Sequence, residues 1–148
     1  MKLMSEYMFT KQLSVFLENK SGSLSDVTEV LAGIGINLVA MCVADSSDFG
    51  ILRCVVSDPK RAASELRERG YAVKMTDVIG FSMTNESGSM ATILKHLSDA
   101  GATIEYIYSF NNGQRANVII RTVDMDACAR VLQENHVSLL SEAELYSL

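Results

Sequence analysis

Asn19-Lys20-Ser21-Gly22-Ser23-Leu24 recurs 66 positions further along as Asn85-Glu86-Ser87-Gly88-Ser89-Met90, with no gap between the copies. The same offset lays Leu31 on Leu97, Gly35 on Gly101, Asp58 on Asp124, Ala63 on Ala129, Leu66 on Leu132 and Glu68 on Glu134. A solenoid needs about three or more stacked units to bury a continuous core, so two long copies indicate a pair of duplicated small domains. The division is expected near Val78, giving a first domain over residues 1–78 and a second over 79–148.

Outward from the first copy, Leu13, Val15 and Leu17 alternate with Ser14, Phe16 and Glu18, the period of a strand. Beyond Gly22 the apolar positions become Leu24, Val27, Val30, Leu31 and Ile34, the period of an amphipathic helix, which Gly35 can end. Ser21 or Ser23 is expected to cap that helix, with Ser25, Asp26 and Glu29 on its wet side. Ile36 to Val43 and Ile51 to Val56 read as a hairpin reversed at Asp45-Ser46-Ser47-Asp48. Asp58-Pro59 starts a second helix with Ala62, Ala63 and Leu66 turned inward, and Tyr71 to Val78 supplies a fourth strand.

The second copy repeats the plan. Strands are expected at Ile79–Met83, Ala102–Phe110 and Arg115–Thr122, helices near Ser89–Ala100 and after Asp124, and a terminal extended segment over Val137–Leu145. Asn112-Gly113 marks a tight turn in which both residues tolerate positive φ. The fold class is therefore α+β: two ferredoxin-like βαββαβ units, each an antiparallel four-stranded sheet with two helices on one face.

The 148 residues are 48% apolar and carry 18 acidic against 13 basic side chains, a formal charge of −5. Such a chain folds, and it offers no field for nucleic acid. Lys60, Arg61, Arg67 and Arg69 come nearest to a basic patch, but Glu65 and Glu68 interrupt them. Tyr106, Tyr108 and Phe110 share a strand face without interleaved basic residues, which reads as a packed interface and not an RNA platform. Glu6, Thr10 and Lys11 break any signal-peptide core and no stretch is long enough to span a membrane, so the chain reads as cytoplasmic with no membrane partner.

Catalysis finds no support. Neither His96 nor His136 sits in a nucleophile or metal-ligand spacing, and phosphate-loop, dinucleotide, zinc-protease and calcium-loop patterns are missing. Cys42, Cys54 and Cys128 lie in apolar segments without paired spacing and read as reduced thiols. No cofactor and no metal is expected.

Leu17 to Leu24, followed by Gly35-Ile36-Asn37-Leu38, resembles the strand-loop-helix-strand signature of ACT domains, small ligand-binding modules of amino-acid metabolism. Asn85 to Met90 with Gly101-Ala102-Thr103-Ile104 resembles it again, so the likeness extends over residues 11–146. It implies a tandem, non-enzymatic regulatory protein, similar to small stand-alone bacterial amino-acid-binding regulators. It implies binding of an amino acid or similar small effector, homodimerisation, and action through intersubunit contacts or on a metabolic enzyme.

The resemblance places the ligand site at Asn19, Lys20, Ser21, Gly22, Ser23, Leu24 and Asn37. Free N–H groups at a helix start suit a carboxylate, Gly22 permits close backbone approach, and an Asn37 amide can both donate and accept. A second site would use Asn85, Glu86, Ser87, Gly88, Ser89, Met90 and Thr103. There Glu86 stands for Lys20 and Thr103 for Asn37, which favours the first loop. Each of these residues also has a plain structural reading as turn, cap or loop. The alternative for the whole chain is a structural or protein-interaction module without a metabolite.

Overall fold

The computed structural model describes residues 9–45 and 48–148. The reading of residues 1–8 and the placing of Ser46 and Ser47 in a reversing loop lie outside the described residues. The contacts form two compact units, one of Lys11–Thr76 with Tyr146–Leu148, the other of Asp77–Leu145 with Phe9 and Thr10.

The first unit is built from β1 (Phe9–Glu18), α1 (Ser23–Gly33), β2 (Leu38–Asp45), β3 (Phe49–Val56), α2 (Pro59–Glu68) and the start of β4 (Ala72–Thr84). Its strands lie in the order β2-β3-β1-β4. Leu13 stands opposite Cys54 and Val15 opposite Leu52. Side chains alternate along strands, so Leu13, Val15 and Leu17 share one face with Leu52, Cys54 and Val56. Both helices close over that face through Val27, Leu31, Ala62, Ala63 and Leu66.

The remainder of β4, α3 (Ser89–Asp99), β5 (Ile104–Asn112), β6 (Arg115–Thr122), α4 (Met125–Glu134) and β7 (Ser138–Leu140) form the second unit, whose sheet runs β7-β4-β6-β5. Ile79 and Phe81 of β4 join Val118 and Ile120 of β6 under Ile93, Leu97, Cys128, Ala129 and Leu132 of the two helices. Each unit is thus an antiparallel four-stranded sheet with two helices on one face, the expected α+β plan. Leu31, Leu66, Leu97 and Leu132 all lie in the cores.

Local chemistry explains the boundaries. The Asp58 and Asp124 carboxylates accept from the Arg61 and Ala127 N–H groups at 3.2 and 3.0 Å, capping α2 and α4. After α1, the Ile36 N–H donates to Leu31 O at 2.9 Å across Gly35, whose φ of +73° suits glycine.

Several expectations need correction. The strands expected at Tyr71–Val78 and Ile79–Met83 are one continuous β4. Val78, Ile79 and Phe81 are fully buried and Gly80 keeps out of the left-handed region, so nothing turns the chain there. The α1 cap is Gly22, at φ +91° and with no side-chain cap, in place of Ser21 or Ser23. Asn112 pairs with Arg115, so Gly113 and Gln114 form the turn, and only Gly113 has positive φ.

The segment Val137–Leu145 is extended only over Ser138–Leu140. It then forms the short helix α5 (Glu142–Tyr146). A reciprocal capping box starts α5: Glu144 N–H donates to Ser141 Oγ and Ser141 N–H to Glu144 Oε1, each at 3.1 Å.

Candidate functional site

Two clefts in the first unit meet at the start of α1. One, of about 480 Å³, is walled by the loop Glu18–Ser21, by Leu24 of α1 and by Val43, Asp45 and Gly50 of the β2–β3 pair. The other, of about 330 Å³, shares Leu17, Glu18, Lys20 and Ser23 with it and extends to Asp26, Arg69 and Tyr71. The loop between β1 and α1 is thus the ridge between two hollows.

That loop is held from both sides. The Lys20 ammonium lies 3.1 Å from the Glu18 carboxylate. The Asn19 amide Nδ2 donates to Asp45 Oδ1 at 3.0 Å, tying the loop to the end of β2. A Cβ on Gly50 would come within 3.3 Å of Asn19 Oδ1, so glycine there leaves room for the amide. In the first turn, Ser23 N–H reaches Lys20 O at 3.4 Å and Asp26 N–H reaches Gly22 O at 2.9 Å. The N–H groups of Leu24 and Ser25 have no intrahelical acceptor, as at any helix start. Ser23 is buried and Leu24 half-buried, while Asn19, Lys20, Ser21 and Gly22 are exposed.

Asn37 lies elsewhere. It follows the far end of α1, which at 1.5 Å per residue is about 16 Å long. Its backbone N–H donates to Ser57 Oγ at 3.0 Å and its carbonyl accepts from the Ser57 N–H at 3.0 Å. Within this unit the structure gathers Asn19 to Leu24 and leaves Asn37 out.

The second loop is similar in backbone and different in surroundings. Gly88 caps α3 at φ +89°, Asn85 N–H donates to Gln114 O at 2.8 Å, and Ser89 Oγ lies 3.0 Å from Thr84 Oγ1. Asn85, Glu86, Ser87 and Gly88 are exposed, Ser89 and Met90 half-buried. Thr103 sits at the other end of α3, in a hollow of about 210 Å³ with Val123, Asp124 and Val131. Again the strand-opening residue and the loop do not converge within one unit.

Val43, Asp45, Gly50, Arg69 and Tyr71 are site-lining residues that sequence reasoning missed. Asp45 is 26 positions from Asn19, and no local spacing pairs them. The alternation of β2 does signal that Val43 and Asp45 share a face.

Cys54 and Cys128 are fully buried and Cys42 is half-buried. Burial pushes the Cys54 thiol up to about 12 and raises that of Cys128 as well. Among the described residues no group of three or more His, Cys, Asp or Glu is placed to hold a metal ion. No helix among them is long and apolar enough to cross a membrane.

The family description "ACT domain pair" matches residues 8–148. The chain belongs to the ACT-domain family. ACT domains are regulatory modules and not catalytic ones, so this tandem ACT chain is not an enzyme. Protein BT0572 from Bacteroides thetaiotaomicron is 53% identical, with a TM-score of 0.92 over 96% of this chain and 99% of that one. The regulatory subunit of aspartate kinase from Thermus thermophilus is 18% identical, with a TM-score of 0.65 over 86% and 92% of the two chains. The Thermus flavus subunit is 19% identical, with a TM-score of 0.62 over 87% and 94%. At those identities the kinase subunits share the fold. No curated protein matches the chain.

Proposed function

We propose that this ACT pair is an amino-acid-binding regulatory protein, and that the loop Asn19–Leu24 is its primary effector site. The observation that carries the reading is the meeting of two clefts at the start of α1, where N–H groups lack intrahelical acceptors. A carboxylate there is stabilised by the helix dipole. Its action on other proteins would run through homodimer contacts or a metabolic-enzyme partner, as the aspartate-kinase regulatory subunits of the same fold suggest by their names. Asn85–Met90 is a weaker second site, since Glu86 replaces Lys20.

Binding regulates only if it favours one arrangement or one partner-bound state over another. A thermal-shift screen against the common L-amino acids, followed by calorimetric titration, tests the reading, because a native-state ligand raises stability by mass action. Light scattering tests the dimer, and monomers throughout a wide concentration range would refute it. Absence of any shift or heat would favour a protein-interaction module. Phe16 and Phe49, both exposed with ring centroids 5.7 Å apart, are the observation that supports that second reading.

A further inference from the structure

The larger cleft beside the Asn19–Leu24 loop has a charge and polarity pattern that narrows what it can hold. Three charged side chains line it: Glu18, Lys20 and Asp45. Glu18 and Lys20 face each other at 3.1 Å and largely cancel. Asp45 is met by the neutral Asn19 amide and is ion-paired with no cation among the described residues, so within them its negative charge is oriented but not neutralised. The rest of the wall is Leu17, Leu24 and Val43, with Ser21, Ser23 and Gly50 at the loop and the strand pair. Val43 is 50% exposed although it lies on the helix-covered face, opposite the fully buried Leu52.

We propose that Asp45, aimed by Asn19, receives the α-ammonium group of an L-amino acid whose aliphatic side chain covers Val43 and Leu24. The inference rests on the effector reading above and deepens it: the class is an amino acid with a free ammonium group and an uncharged apolar side chain. A carboxylate side chain would meet the uncompensated Asp45 charge, and a basic one would lie against leucine and valine. Asn19 is a positioning residue, acting through Asp45. Asp45 is exposed at a strand end, so its replacement by the isosteric amide changes charge with little change in shape.

The test is calorimetric titration of the full chain with L-leucine, N-acetyl-L-leucine, the α-keto acid derived from leucine, L-aspartate and L-lysine. L-leucine should bind, and the two probes without a free ammonium should bind at least about tenfold more weakly. Asp45→Asn should weaken L-leucine about tenfold and remove most of the difference between it and the keto acid. Asn19→Ala, which leaves the Asp45 charge in place, should weaken L-leucine by less. Tighter binding of L-aspartate or L-lysine than of L-leucine would overturn the proposal, as would an unchanged affinity in a folded Asp45→Asn protein. If none of the common L-amino acids binds, the effector reading itself fails. If one binds but discriminates neither by ammonium nor by Asp45, only the present inference fails.

Discussion

Gly80→Ala should destabilise the second unit through a single contact. A Cβ on Gly80 would lie 2.5 Å from Leu145 Cδ1, 3.2 Å from Cγ and 3.3 Å from Cδ2. Carbon atoms at optimal separation are about 3.5–4.0 Å apart, so the leucine must withdraw by about 1 Å or more. Leu145 is fully buried, and Gly80 pairs with both Ile119 and Leu140, so neither side has free space to yield. Overpacking of this kind costs about 1–3 kcal/mol, and the lower entropy of an unfolded alanine chain offsets about 0.4–1 of that. The net expectation is a loss of about 1–2 kcal/mol.

Leu145→Ala alone should cost about 2–5 kcal/mol by leaving a cavity. In the double variant the new methyl enters the space the leucine vacates, so the loss should fall below the sum of the singles by at least about 1 kcal/mol. Urea titration of the four proteins, read as midpoint and slope, gives the cycle. A Gly80→Ala protein as stable as the parent, or a double variant that is simply additive, would refute the placing of α5 over β4.

Two further predictions concern single groups. Burial pushes the folded-state pKa of Cys54 up to about 12, whereas the thiol of the unfolded chain titrates near its ordinary value of 9.0. Its folded-state pKa is raised, so its contribution is fully present below pH 9 and is lost between there and pH 12. By pH 10 unfolding should be easier by about 1.4 kcal/mol on account of this group, read as the difference in pH slope between parent and Cys54→Ala; parallel slopes would contradict it. His136 has φ +59° where the first copy has Gly70 at +91°, and a side chain in that region costs about 1–2 kcal/mol. His136→Gly should therefore raise thermal or urea stability by about 0.5–1 kcal/mol, after the higher entropy of glycine in the unfolded chain is subtracted.

The repeat made the architecture legible because periodicity reports burial. Val27, Leu31, Ile93 and Leu97 lie inside for the reason their spacing indicates, and Asp58 and Asp124 cap the helices they precede. What periodicity does not register is where an extended run stops, so β4 reads as two strands across Val78 and Ile79. The helix α5 was legible in Ser141-Glu142-Ala143-Glu144, a capping-box pattern hidden behind the alternation before it. The site was legible only where its residues are neighbours in sequence. Asn19 to Leu24 hold together, but Asn37 is separated by the length of α1, and the Asp45 that meets Asn19 comes from a strand that sequence distance cannot place beside it.

The unequal burial of the three thiols has a practical use. Cys54 and Cys128 are shut inside the cores and held protonated, whereas half-buried Cys42 lies on β2, three residues before Asp45. Alternation puts Cys42 on the face opposite Val43 and Asp45. A thiol-reactive dye should therefore attach first at a position behind the proposed effector cleft, making the native sequence its own fluorescent reporter of events at the end of β2.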